Sequence, residues 1–205
     1  NALNTTFDTD GIADAPSNKT EGIVFLTEGN ENYLYIIAND SGGDQWGPKQ
    51  KNLYKIKIKD NSLVSGYPKN LENSGVWDDI GGMTYNGTNL IVTAKQNNGA
   101  WVVDTNGDKI SEGWPCCSSV FGMTAVAYHE SRGVLYGAKQ GKLIGISTDL
   151  NSIESEQSVT EDSVSITGIQ GMTFGQDMLF IARYEGGQGY VSSGALKEAL
   201  TTIPQ

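Results

Sequence analysis

The stretch from Gly81 to Ile110 reads GGMTYNGTNLIVTAKQNNGAWVVDTNGDKI and holds three short apolar runs separated by turns. Asn86-Gly87 and Asn106-Gly107 stand in two of these turns, and Asn-Gly pairs adopt the positive φ angles that tight hairpins require. The runs are rich in the β-branched and aromatic residues that are typical of strands. The stretch therefore predicts an up-and-down antiparallel sheet.

Two features of this stretch return later in the chain. The tripeptide Gly-Met-Thr begins apolar runs at Gly82, Gly122 and Gly171, and the next run of each unit ends in a basic residue, at Lys95, Lys139 and Arg183. An earlier unit, EGIVFL followed by YLYIIAN, ends at Asn39. A period near 45 residues with about four strands per unit predicts a β-propeller of four up-and-down blades. A sandwich or a barrel would not repeat one tripeptide at the start of each unit.

The repeat also divides the chain. We expect a closing strand and a calcium loop in residues 1–21 and the propeller in residues 22–205, with blades at about 22–75, 80–115, 120–160 and 169–200. After the last blade, the sequence GALKEALTTIPQ favours a short helix. The segment Ala2–Phe7 either supplies an outer strand to the last blade, the alternative we favour, or pairs with another molecule and forms an assembly.

Composition excludes two classes of partner. The chain has 205 residues, a formal charge of −10 and 26 glycines, and this acidity argues against nucleic acid, whose phosphates would repel it. Because no apolar run approaches the roughly 20 residues of a spanning helix, we expect no insertion into a membrane.

Several short motifs favour a secreted or cell-surface protein. Sequons for N-glycosylation stand at Asn4, Asn18 and Asn86. Cys116 and Cys117 are adjacent, and they form either a vicinal disulfide, as an oxidising compartment would allow, or two free thiols. With the diffuse negative charge, these motifs predict an extracellular location.

Propeller geometry predicts a binding face. Loops that lead into the first strand of each blade and loops that leave the second strand lie on one side of the ring. The candidate ligand-binding residues on this side are Trp46, Trp77, Asp79, Lys95, Trp114, Lys139 and Arg183. Tryptophan beside charged groups is suited to a sugar, because the indole covers the apolar face and the charges bind hydroxyls. The alternative is a structural ring of salt bridges between these cations and carboxylates such as Glu21.

The N-terminal sequence DTDGIAD contains a candidate calcium site. It resembles the aspartate-rich calcium repeats of thrombospondin type 3, and the resemblance implies that Asp8, Asp10 and Asp14 would hold Ca²⁺ as a cofactor. The alternative is an acidic surface turn. The similar DTNGD sequence, Asp104–Asp108, lies between two predicted strands, where Asn-Gly makes a hairpin.

A second resemblance covers Glu21 to about Leu200. The sequence VVDTNGDKI resembles the blade ends of secreted β-propeller repeat proteins, although no Trp-Asp pair stands at the blade ends as it would in a WD40 array. Such folds include lectins, hydrolases and scaffolds, so the fold alone implies no activity.

We therefore carry two functional hypotheses. The first is a secreted, non-catalytic adhesion or binding propeller that recognises a glycan or an extracellular protein. The alternative is a calcium-dependent hydrolase, lactonase-like or phosphatase-like, that uses carboxylates at the axis. We favour the first, because no nucleophile–base pair stands out and His129, the only histidine, is expected at a surface turn.

Overall fold

The structure is a computed structural model of the chain. It describes residues 20–40, 50–74, 80–95, 99–113, 123–139, 141–147, 149–150, 152–158, 160–161, 164–165, 168–175, 178–185 and 188–195. Within these ranges no helix is long and apolar enough to cross a membrane.

In the described ranges the chain forms four antiparallel sheets of three to five strands, called blades 1 to 4, and one two-stranded hairpin, and the four blades confirm the predicted all-β propeller. Blade 1 consists of β1 (Thr20–Glu28), β2 (Glu31–Asp40), β3 (Gln50–Lys57), β4 (Ser62–Leu63) and β5 (Lys69–Asn70), followed by a 3₁₀ helix (Leu71–Ser74). Blade 2 consists of β6 (Ile80–Tyr85), β7 (Leu90–Ala94), β8 (Ala100–Val103) and β9 (Lys109–Gly113).

Blades 3 and 4 follow the same up-and-down order. Blade 3 consists of β10 (Ala125–His129), β11 (Val134–Lys139), β12 (Lys142–Ile146) and β13 (Ile153–Ser158), with a 3₁₀ helix at Glu130–Arg132. A two-stranded hairpin, β14 (Thr160–Glu161) and β15 (Val164–Ser165), leads to blade 4. The described strands of blade 4 are β16 (Ile169–Gly175), β17 (Met178–Glu185) and β18 (Gln188–Ala195).

The cores of the protein lie between successive blades. One cluster joins blades 1 and 2 around Trp101, a second joins blades 2 and 3 around Leu135, and a third joins blades 3 and 4 around Tyr136. Since blades 2 and 3 bury both faces in this way, their strands carry apolar runs in place of a strict alternation. The first strands β1, β6, β10 and β16 contact one another at the axis.

The repeated tripeptide has a packing role. Met83, Met123 and Met172 belong to the cores between blades 1 and 2, blades 2 and 3, and blades 3 and 4, respectively. The methionine of each copy therefore fills the interface with the preceding blade.

Glycine is required where the inner strands meet. A Cβ atom on Gly81 would lie 1.7 Å from the carbonyl oxygen of Met123, and one on Gly22 would lie 2.7 Å from the backbone nitrogen of Met83. Both distances are far below van der Waals contact, so only glycine fits. Small residues are therefore required where these inner strands approach each other.

The two Asn-Gly turns are hairpins, as predicted. Asn86 Oδ1 accepts hydrogen bonds from the backbone nitrogens of Thr88 and Asn89, at 3.1 and 2.8 Å. In the other turn, Asp104 Oδ1 accepts hydrogen bonds from the backbone nitrogens of Asn106 and Asp108. Such bonds between a side chain and its own turn fix the loop, and at Asp104 they account for the DTNGD sequence without a metal.

A polar cluster ties blade 1 together at the end opposite the predicted binding face. Glu28 accepts hydrogen bonds from the Tyr35 hydroxyl at 2.5 Å and from Lys55 Nζ at 2.6 Å. Burial raises the pKa of Glu28, but these two hydrogen bonds and the positive charge of Lys55 outweigh it, so the pKa lies below its usual value. Burial and the hydrogen bond to Glu28 raise the pKa of Tyr35.

The prediction for His129 is wrong. His129 is fully buried at the end of β10, and its ring centroid lies 4.6 Å from that of Phe174 in blade 4. The ring of Tyr136 is 6.5 Å away. His129 is therefore part of the aromatic packing between blades 3 and 4.

Candidate functional site

Three inner strands begin with the same irregularity. The pairing register shifts by one residue between Thr20 and Gly22, between Ile80 and Gly82, and between Ile169 and Gly171. The extra residues are Glu21, Gly81 and Gln170. A bulge redirects the side chain of its extra residue, and Glu21 and Gln170 both line a cleft at the axis.

Glu21 is the centre of a hydrogen-bonded network at the mouth of this cleft. Its Oε2 lies 2.5 Å from Lys95 Nζ, and its Oε1 accepts a hydrogen bond of 3.1 Å from Asn39 Nδ2. The Glu21 side chain is 10% exposed. Asn39 in turn accepts a hydrogen bond from the backbone nitrogen of Ile80 at 3.4 Å, so the network crosses from blade 1 to blade 2.

The cleft has a volume of about 300 Å³ and receives residues from all four inner strands. Its floor includes Gly82 and Met83 of blade 2 and Ala125 and Val126 of blade 3. Its walls are Ile23 of blade 1 on one side and residues of β16, β17 and β18, including Phe180, Ala182 and Val191, on the other. The walls are apolar, and polar groups come chiefly from Glu21 and Gln170 at the mouth.

Blades 1 and 4 each carry exposed apolar side chains on the sheet face directed away from the neighbouring blade that it packs against, and we call these two faces together the wedge. Among the described residues, five of the six exposed large hydrophobic side chains lie on these two faces, and they are Ile23, Phe25, Met178, Phe180 and Val191. Ile23 and Phe25 are 57% exposed and Val191 is 77% exposed. Ile23, Phe180 and Val191 line the cleft together, and an exposed apolar patch is typical of an interaction site.

Of the predicted binding residues, the structure brings Lys95 to the mouth. Arg183 is half-buried in β17, where it pairs with Ile169 and Tyr190, and Lys139 is the last residue of β11. Ala94 packs between blades 1 and 2, whereas Ala138 packs between blades 3 and 4, so the two alanines that precede these lysines face different interfaces.

Several predicted sites lie outside the described residues. They are Trp46, Trp77, Asp79 and Trp114 of the binding face, the metal ligands Asp8, Asp10 and Asp14, Cys116 and Cys117, the sequons at Asn4 and Asn18, and the closing strand Ala2–Phe7. In the parts that are described, no group of three or more His, Cys, Asp or Glu side chains is arranged to hold a metal ion.

The sequence prediction missed the apolar walls. In EGIVFL every position after Gly22 is apolar, so the sequence does not show that Ile23 and Phe25 face one side and Val24 and Leu26 the other. The structure assigns Val24 and Leu26 to the core with blade 2. Strict alternation counted from Val24 would have identified Ile23 and Phe25 as a second face, but not that this face lies open.

Comparisons with known proteins bear on the fold. No protein-family model matches the sequence, and no curated protein matches it significantly. Among solved structures, Myxococcus xanthus glutaminyl cyclase is similar with a TM-score of 0.60 and 14% identity, over 82% of this chain and 62% of that one. The Malassezia sympodialis allergen Mala s 1 is similar with a TM-score of 0.51 and 11% identity, over 88% and 65%.

A WD40 domain is also similar. The Pan2 WD40 domain of Neurospora crassa aligns with a TM-score of 0.51 and 10% identity, over 92% of this chain and 49% of that domain. The chain thus spans less than two thirds of the length of each of these structures. At such low identities the likeness supports the propeller fold and nothing about activity.

Proposed function

We propose that this propeller is a non-catalytic binding module that holds an apolar segment of a protein partner in the axial cleft. The observation that carries the proposal is the cleft itself, with Ile23 on one wall, Phe180 and Val191 on the other, and a polar mouth. Burying one large apolar side chain contributes about 1.5–3 kcal/mol. An apolar anchor with polar groups around it is also the usual arrangement of a protein–protein hot spot.

The lining favours a polypeptide over a sugar. A sugar requires hydrogen-bonding partners for its hydroxyl groups, and the described walls of the cleft are mostly aliphatic. The predicted tryptophan face, with Trp46, Trp77 and Trp114, is the alternative glycan surface, and binding there would not depend on Ile23 or Phe180.

The charges at the mouth favour binding over hydrolysis. Lys95 and Asn39 each donate a hydrogen bond to one oxygen of Glu21. The negative charge of this carboxylate is therefore already balanced by Lys95, and both of its oxygens have a partner. A general base or a calcium ligand needs a carboxylate oxygen directed at substrate or metal. A calcium-dependent hydrolase would therefore have to displace Lys95.

We further propose that the module acts outside the cell, as part of an extracellular or cell-surface assembly. The support is the sequon at Asn86, which stands in a hairpin turn between β6 and β7 with Gly87 and Thr88 exposed. A glycan attached there would project from the end of blade 2.

Two parallel binding screens, one for peptides and one for glycans, test the proposal. The full-length protein is immobilised and screened against a displayed library of random peptides and against a glycan array. We expect enrichment of peptides with at least two large apolar residues and a loss of about tenfold or more in affinity for Phe180→Ser, since 1.4 kcal/mol corresponds to a factor of ten.

Two outcomes would contradict the proposal. Glycan binding that Phe180→Ser leaves unchanged would move the site to the tryptophan face. Ester or phosphate hydrolysis that requires Ca²⁺ and disappears in Glu21→Gln would establish the enzyme instead.

A further inference from the structure

Three equivalent glycines lie along the axial cleft. Gly22, Gly82 and Gly171 each follow the bulge at the start of an inner strand, and all three line the cleft. A Cβ atom on Gly22 would lie 2.7 Å from the backbone nitrogen of Met83, and one on Gly82 would lie 3.1 Å from the Cα of Ala125. Glycine is therefore required at these two positions by the close approach of the next inner strand.

The third glycine, Gly171, is not required by packing in this way. In the described part of the chain, and apart from its two chain neighbours, the only atom within 4 Å of a Cβ on Gly171 is the Cβ of Ala182, at an ordinary contact distance of 3.7 Å. Ala182 is the cross-strand partner of Gly171 and also lines the cleft. A side chain at position 171 would therefore project into the cleft, and its absence keeps this wall open.

The open space is large enough for an aromatic ring. A protein cavity of about 150 Å³ lined by Leu, Ile and Phe binds benzene, and the axial cleft has a volume of about 300 Å³. The cleft therefore has room for the phenyl ring of phenylalanine or the larger indole of tryptophan. A bulky side chain at position 171 would take up part of this volume.

The side chains around this space favour an aromatic ring over an aliphatic group. Met83, Met172 and Phe180 all line the cleft. Methionine sulfur makes favourable contacts with aromatic rings, and two aromatic rings in offset or edge-to-face packing gain more than the area they bury. Phe180 is 38% exposed, so its ring is accessible to an incoming ring.

We propose that the axial cleft is a pocket for one aromatic side chain, and that Gly171 determines which side chains enter by leaving one wall bare. The inference rests on the proposed function, because the aromatic side chain belongs to the partner segment. It goes beyond that function by naming the chemical class of the anchor and the residue that sets its size.

The first experiment repeats the peptide screen with full-length wild type and Gly171→Leu. We expect the peptides selected on the wild type to share one Trp, Tyr or Phe. They should bind Gly171→Leu about tenfold or more weakly, because the leucine occupies the space of the ring. Ser111→Leu adds the same side chain on the exposed outer strand β9, outside the cleft, and should leave the affinity unchanged.

The results of this screen separate the inference from the proposed function. Peptides that lose affinity for Phe180→Ser but share no aromatic residue would overturn the inference alone. Peptides that bind Gly171→Leu as tightly as wild type, while still depending on Phe180, would do the same. A screen that enriches no peptide would overturn both.

The second experiment uses the wild-type chain and two small probes, so it does not depend on the folding of a variant. Phenol and cyclohexanol have the same hydroxyl group on a ring of the same size, but only phenol is aromatic. In an NMR titration we expect phenol to shift the backbone amide signals of Gly82 and Gly171 and to bind about fivefold more tightly than cyclohexanol. Equal affinities, or shifts confined to residues outside the cleft, would overturn the inference.

Discussion

Lys95 Nζ lies 2.5 Å from Glu21 Oε2, although 74 residues separate the two in the chain. The pair connects the end of the second strand of blade 2 to the bulge at the start of blade 1. The Glu21 side chain is 10% exposed and that of Lys95 is 23% exposed, so the carboxylate would be an uncompensated, mostly buried charge without its cation.

Substitution of Lys95 and substitution of Glu21 should reduce the free energy of unfolding by different amounts. Lys95→Met leaves the Glu21 carboxylate buried without its cation and should reduce the free energy of unfolding by about 2 kcal/mol. Glu21→Gln keeps a hydrogen-bonding group and removes the buried charge, so it should cost less. Urea denaturation followed by tryptophan fluorescence measures both.

The pair of Lys142 and Glu156 provides the control. Both side chains are substantially exposed, at 51% and 39%, and exposed ion pairs contribute about 0–1 kcal/mol. Lys142→Met should therefore be nearly neutral. Equal losses in Lys95→Met and Lys142→Met would show that the mouth pair is not buried as described.

Because blades 2 and 3 approach closely at Gly81, adding one methyl group there should strongly reduce the stability of the fold. A Cβ on Gly81 would lie 1.7 Å from the Met123 carbonyl oxygen, so Gly81→Ala should destabilise the fold by about 3 kcal/mol or more, or prevent folding. Gly171→Ala is the matched control, because its Cβ would meet Ala182 at an ordinary 3.7 Å. The yield of folded protein and the thermal midpoint distinguish the two, and similar behaviour would argue against the inner-strand packing.

The Glu28 cluster predicts loss of stability in acid. The folded-state pKa of Glu28 is lowered from 4.5, so between the folded pKa and 4.5 the unfolded chain binds more protons at this group. Its contribution to stability is therefore present above about pH 4.5 and is lost as the pH falls through the folded pKa. Glu28→Gln should reduce the slope of stability against pH below 4.5, as measured by denaturation at pH 3 to 6, and an unchanged slope would contradict this assignment.

The sequon at Asn86 allows glycosylation and turn geometry to be separated. Asn86→Gln removes both the glycan acceptor and a short side chain that caps the turn through Thr88 N and Asn89 N, whereas Thr88→Ala removes the sequon and keeps both backbone donors. In protein made without glycosylation, Asn86→Gln should cost about 1 kcal/mol and Thr88→Ala much less. In protein made in a secretory host, both variants should lose the mass of one glycan, and no mass loss would refute glycosylation at this position.

The sequence predicts the strands and their order well for a physical reason. Asn86-Gly87 and Asn106-Gly107 fix hairpins locally, and the repeated methionines mark a packing position that recurs at each blade interface. Neither signal depends on distant parts of the chain.

The candidate site was harder to predict because it depends on contacts between distant elements. Ile23 is apolar like its partly buried neighbour Val24, and the sequence does not show that Ile23 stays exposed on the wall of the cleft. Glu21 reaches the mouth because a one-residue bulge turns it there. His129 is buried because Phe174, 45 residues later, packs against it, and a turn motif in the sequence carries no sign of that contact.

The most direct test of the account compares two isoleucines that are equally exposed, at 57% each. Ile23 lies on the wall of the cleft, and Ile110 lies in β9 of blade 2, outside it. The affinity of one apolar peptide selected on the full-length protein is measured by titration calorimetry for wild type, Ile23→Ser and Ile110→Ser. We expect Ile23→Ser to weaken binding about tenfold and Ile110→Ser to have no effect, whereas equal affinities for the two variants would contradict a binding site in the axial cleft.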